Sequence, residues 1–169
     1  METLRTLVTR RETAEFRATD VPEDAQQDLL RAAMSAPVEG QKPWHFILLS
    51  DEKTLKDLTI LVHERDSLQA APMGIVICAS EIEQASMAQW AVDCAAATEN
   101  LVLAAHAKGF GSSWVRVFPS KERMRTVGEL LGLPEHVTPF SAVFLGKPKK
   151  PLSKRAASLE TDRIHLEGW

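Results

Sequence analysis

A chain of 169 residues with 44% hydrophobic and 25% charged side chains has the size and composition of one globular domain, able to bury roughly 70% of the surface its unfolded form exposes. Its formal net charge of -3 supplies no basic face for phosphate neutralisation and argues against general nucleic-acid binding. The longest apolar stretch, Ala95 to Ala107, is interrupted by Thr98, Glu99, Asn100 and His106 and does not read as a membrane span.

Taken in order, Met1 to Arg11 carries scattered charges with no apolar core or small-residue cleavage site, so no signal peptide is expected and the protein is read as soluble and cytoplasmic. A first helical pattern ends at Arg10-Arg11. Asp20, with Glu23 three residues on, is expected to cap a helix over about 22 to 35 that buries Ala25, Leu29 and Ala33. The segment Ala36-Pro37-Val38-Glu39-Gly40-Gln41-Lys42-Pro43-Trp44 then breaks the helix with two prolines and a glycine, and reads as a binding loop held between rigid elements. His45 to Ser50 is strand-like, and Asp51 caps a helix carrying Leu55, Leu58 and Val62 on one face. Met73 to Ser80 is a continuous apolar run suited to a central strand buried on both faces. From about 83 to 108 an alanine-rich stretch without Pro or Gly predicts one long helix stopped by Gly109, with alanines on several sides, as suits a centre or an interface. Ser112 to Val117 predicts a strand, Ser120 caps a helix ending at Gly132-Leu133-Pro134, and Ser141 to Leu145 predicts the last core strand. Beyond Gly146 the chain turns basic and ends in Ile164 to Trp169, an arm expected to dock on the body or on a partner subunit. The fold class is α+β: a mixed or antiparallel central sheet covered by helices, in a single domain over 1–169 with a C-terminal arm from about 147.

Candidate chemistry is sparse. His45, His63, His106, His136 and His165 show no paired metal-ligand spacing, Cys78 and Cys94 form no CxxC and read as packing residues, and no nucleophile elbow is present. No residue is assigned as catalytic and no metal is expected. Because the chain also contains no tyrosine to act as a phenolic acid, a cofactor would have to carry any reaction. Arg10-Arg11 and Lys154-Arg155 could together cradle a phosphate, although a single basic pair is more often solvated charge. Gly109-Phe110-Gly111-Ser112-Ser113-Trp114-Val115-Arg116 joins helix to strand through two glycines. It lacks the GxGxxG order of a dinucleotide fingerprint but lets a flat ring approach the backbone.

These pieces, in this order over nearly the whole chain, resemble the nitroreductase family of flavin mononucleotide (FMN) enzymes. Arg10-Arg11-Glu12-Thr13-Ala14-Glu15-Phe16 is similar to its Arg-Arg-Ser-x-Arg-x-Phe motif, and Ala36-Pro37 to Trp44-His45-Phe46 to its Pro-Trp loop. Asp93 to Trp114 resembles its long helix and Gly-x-Gly-Ser-x-Trp turn, and Leu130 to Pro134 and Phe144 to Pro148 its closing segments. The resemblance implies a homodimer with the long helix at the interface, FMN as cofactor, NADH or NADPH as reductant, and a nitro compound, quinone or similar small molecule as acceptor. It further implies that Arg10, Arg11 and Arg155 hold the FMN phosphate and ribityl chain and that Trp114, Val115 and Arg116 line the ring. It also implies that Gln41 and Glu39 come from the loop, with Ser35 near it, and reach toward the partner's flavin. Glu12 stands where the family has Ser, and Ala14 where it has Arg or Lys, so a second reading is a dimeric binding module of the same fold with weakened or lost flavin binding.

Overall fold

The computed structural model describes residues 3–62, 68, 70–83, 86–152 and 156–169. Among them the helices are α1 (Thr3–Thr9), α2 (Glu23–Met34), α3 (Glu52–Leu61), α4 (Met87–Ala107) and α5 (Lys121–Leu131). The strands are β1 (Trp44–Leu49), β2 (Met73–Ser80), β3 (Gly111–Arg116) and β4 (Val137–Gly146). The strands form one sheet in the order β1-β2-β4-β3, and every ladder is antiparallel. The two central strands are those with the longest apolar runs: β2 is buried along its whole length, as a strand covered on both faces must be.

Alternation along the strands sorts the core into two layers. Ile75, Ile77, Val143 and Leu145 face α2 and α4, in a cluster with Leu29, Trp90, Leu101 and Ala105. Val76, Cys78, Ala142 and Phe144 face the other way, onto Leu55 and Leu58 of α3 and Val127 of α5. Both cysteines lie fully buried and free, and burial pushes each thiol up to about 12, the state of inert packing residues.

Capping chemistry explains most element boundaries. Asp51 accepts from the Thr54 backbone at 2.8 Å, Ser86 and Ser120 cap α4 and α5, and Gly132 ends α5 with φ +63°. Three expectations change. Asp20 does not cap α2; Pro22 occupies that position and no side chain bonds the first turn. The long helix starts at Met87 rather than near 83, because the Ser86 hydroxyl takes the cap and residues 81–83 form a turn. The last strand runs over Val137–Gly146, well beyond 141–145, since pairing with β2 from Met73 to Ser80 carries it through polar residues and Pro139. The arm is exposed throughout 156–169. Within the chain it is tied by Ala157 N–H to Val8 C=O at 2.8 Å, and its Trp169 stacks on His165.

Candidate functional site

The residues after α1 shape a groove along the outer edge of the sheet, because β3 is an edge strand and the segment 10–17 runs beside it. Thr13 N–H donates to Ser112 C=O at 2.8 Å, Arg17 N–H to Lys147 C=O at 2.8 Å, and Lys149 N–H to Glu15 C=O at 3.0 Å. This approach requires Gly111: a Cβ there would lie 2.7 Å from the Thr13 side chain. The glycine seen in the sequence as room for a ring therefore makes room for the chain itself.

Arg10 continues α1 by donating its N–H to Thr6 C=O, and its side chain turns toward α4, where Nε lies 3.7 Å from Glu99 Oε1. Its Nη1 is buried without a hydrogen-bond partner. A guanidinium nitrogen left without an acceptor is costly, so this position fits an anionic ligand atom. Behind it, Thr9 Oγ1 donates to Arg5 C=O at 2.6 Å, so the hydrogen in its 3.0 Å contact with His106 must sit on the imidazole Nε2. Burial, reinforced by the charges of Arg10 and Arg11, lowers the His106 pKa and holds the ring neutral. Arg11 donates to Arg10 C=O at 2.6 Å and Val8 C=O at 3.3 Å, folding over the negative end of α1.

Two adjoining concavities follow. A groove of about 340 Å³ is lined by Arg11 to Glu15 and Lys150 to Leu152. A wider one of about 540 Å³ is lined by Glu12, Trp114, Arg116 and Arg123. Glu12, an exposed residue, lines both. Along β3, Trp114 packs against the α2/α4 cluster and its Nε1 is buried without a partner, whereas Val115 points into the opposite core. Val115 can therefore offer a ligand only its backbone. Arg123 was absent from the sequence reading: three residues past the Ser120 cap, on an otherwise solvated helix face, it carries no distinguishing pattern. Its Nη1 donates to Arg116 C=O at 2.8 Å.

Ser35, Glu39 and Gln41 are not brought to this groove. Ser35 closes α2, and Glu39 and Gln41 belong to the loop leading into β1, the opposite edge strand, three strand spacings or about 14 Å from β3. Ser35 Oγ donates back to Arg31 C=O at 2.7 Å. Glu39 and Gln41 are exposed, and the Glu39 backbone bonds Asp93 of α4. Asp93 is buried with one carboxylate oxygen unpartnered; desolvation, and then the nearby Glu39 charge, raise its pKa. Arg155 lies outside the described residues. No cluster of metal-ligating side chains occurs among the described residues, and no helix is long and apolar enough to cross a membrane.

A family model described as the nitroreductase family matches residues 60–147. A protein of Archaeoglobus fulgidus, provisionally named NADH dehydrogenase/NAD(P)H nitroreductase, is 38% identical over 99% of both chains. The chain belongs to the nitroreductase family. Nitroreductase-fold relatives of known structure superpose closely: a provisionally named NADH oxidase of Clostridium acetobutylicum gives a TM-score of 0.92 at 31% identity, over 97% of this chain and 99% of that one. An FMN-dependent nitroreductase of Clostridium difficile gives 0.87 at 23% identity over 98% and 99%, a likeness of fold.

Proposed function

We propose that this nitroreductase-family protein is an NAD(P)H-dependent FMN oxidoreductase, a cytoplasmic homodimer of single-domain subunits whose arm from about residue 147 crosses toward the partner, acting on a nitro compound, quinone or similar acceptor. The observation that carries the reading is the buried, unpartnered Nη1 of Arg10, beside α4 at the start of the segment that runs along β3. The buried Trp114 Nε1 without a partner, on a residue that lines the wider groove, supports it. Both are donors, and a phosphorylated, carbonyl-rich heterocycle supplies acceptors to both.

When bound, the flavin would supply the redox chemistry, accepting a hydride from the nicotinamide and passing electrons to the acceptor. The protein's own part is placement. Arg10, with Arg11 and Arg155, would hold the phosphate; Trp114, the Val115 backbone and Arg116 would bound the ring. Neutral His106 fixes the end of α1 through Thr9 and so fixes where Arg10 starts. Ser35, Glu39 and Gln41, some 14 Å away across the sheet, would then serve the groove of a second subunit. Leu4 (64% exposed), Leu7 (50%), Val92 (69%) and Trp169 (104%) form apolar surface of the kind that a partner covers.

Glu12 favours the second reading, a binding module with little flavin affinity, since it adds an acidic residue to the lining of both grooves. One experiment separates the two. Purified protein is stripped, titrated with FMN by flavin fluorescence and then mixed with NADH or NADPH. Saturable binding followed by bleaching of the flavin band supports the oxidoreductase, and absence of binding supports the module. Light scattering that returns a monomer at micromolar concentration would remove the dimer and the shared site with it.

A further inference from the structure

Arg116 and Arg123 share the wider groove, and among the described residues neither has an ion-pair partner. Three exposed arginines of this chain are neutralised locally, Arg31 by Asp28, Arg125 by Glu129 and Arg163 by Glu160, each three or four residues away. Arg123 has no such option, because Ser120 and Val127 stand at the spacings where a carboxylate would sit. One of its N–H groups is committed to Arg116 C=O, which anchors the guanidinium at the end of β3 and leaves the rest of its donor fork for a ligand. Trp114 also lines the groove, and the acidic member of the lining is Glu12 alone, so the groove carries a net positive charge.

We infer that Arg116 and Arg123 form an anion-binding pair that selects, as this enzyme's acceptor, a molecule bearing a carboxylate. The cofactor phosphate is matched to other cations, Arg10 and Arg11, on the α1 side of Glu12. The carboxylate seats on the Arg123 fork beside Arg116, while Trp114 stays with the flavin ring. Glu12 sets the affinity from the opposite side by repulsion. Arg123 is thus a specificity-determining residue that sequence pattern does not reveal. The inference rests on the redox reading above for its kinetic consequence, but the anion site itself exists without the cofactor.

The test uses a matched pair, 4-nitrobenzoate and nitrobenzene, with the flavin-loaded protein, and benzoate alone as a binding probe read by tryptophan fluorescence. In the parent, kcat/KM should favour the carboxylate about tenfold or more. Arg123→Gln should reduce that preference about tenfold, through KM, and Arg123→Lys should restore most of it. A variant in which both substrates fall together, with the preference unchanged, would overturn the assignment. Glu12→Gln touches neither arginine and should tighten benzoate binding several-fold; unchanged or weaker binding would also overturn it. If the protein takes up no FMN, the redox reading fails separately, and benzoate titration of the flavin-free protein still decides. Saturable binding weakened about tenfold in Arg123→Gln supports the pair, and binding indifferent to residue 123, or none, refutes it.

Discussion

Removing the Arg10 side chain separates the contribution of this residue to ligand binding from its contribution to the fold. In the unliganded chain its interactions beyond the backbone are modest: Nε stands 3.7 Å from a Glu99 carboxylate, and the side chains are 24% and 41% exposed. Such a pair contributes at most about 1 kcal/mol, so Arg10→Ala should unfold within about 1 kcal/mol of the parent. The buried Nη1 has no acceptor to lose. With a phosphate in the groove the same nitrogen gains a charge-assisted hydrogen bond worth about 1.5–3 kcal/mol, which corresponds to roughly ten- to a hundredfold in FMN affinity. Arg10→Lys keeps the charge without the planar fork and should fall between the two. The assay is flavin fluorescence quenching on titration of stripped protein, with a thermal melt on each variant. Riboflavin, lacking the phosphate, should bind parent and variant with nearly equal affinity. If Arg10→Ala binds FMN within twofold of the parent, or loses riboflavin to the same extent, Arg10 is surface charge and the phosphate assignment is wrong.

Gly111→Ala should cost about 1–3 kcal/mol in chemical denaturation and weaken FMN binding as well, because its Cβ would meet the Thr13 side chain at 2.7 Å and push the Arg10 to Ala14 segment off β3; an unchanged midpoint would refute the close approach. Gly132→Ala should lose about 1 kcal/mol for a different reason, since nothing lies within 4 Å of the added carbon and only the left-handed backbone at φ +63° opposes it. His106 has a folded pKa depressed below its ordinary 6.5, so the unfolded chain binds more protons there and stability, complete above about pH 6.5, is lost as pH falls through and below it. His106→Gln, which can still donate to Thr9, should flatten that acid limb of the stability curve, and an unaltered limb would exclude the residue as its source. Asp93 has the opposite sign: its raised pKa makes the ionised form costly, so Asp93→Asn should raise the melting temperature at pH 7 and lose that advantage as pH falls toward the usual carboxylate range.

Much of the fold was legible along the chain because it depends on local chemistry. The apolar run from Met73 to Ser80 made a central strand, Asp51 and Ser120 marked helix starts, and Gly109 and Gly132 marked helix ends, each through interactions within a few residues. The misreadings have one origin. Asp20 carried the right cap chemistry but stood too far from the first turn, and the first half of β4, which carries Pro139, became strand only because β2 was there to pair with it. Family likeness named Arg10, Trp114 and Arg116 as site residues. Periodicity alone assigned none of them, since a basic pair or an edge tryptophan has no spacing of its own.

The sequence by itself determined what each segment could become: which residues would be buried, where helices stop, and that no metal-ligand spacing or paired nucleophile is present. Only the tertiary structure decided which of those segments meet. Arg123 joins Arg116 because a helix start is carried back to the end of an edge strand, and Arg10 is left with a buried, unpartnered nitrogen because α1 closes on α4. The loop bearing Glu39 and Gln41 stands across the sheet from both, because a sheet ordered β1-β2-β4-β3 puts its two edges about 14 Å apart. Propensity, capping and hydropathy act over one or two turns of chain. The meeting of Arg116 with Arg123 is set by strand order and helix packing, which are properties of the whole chain.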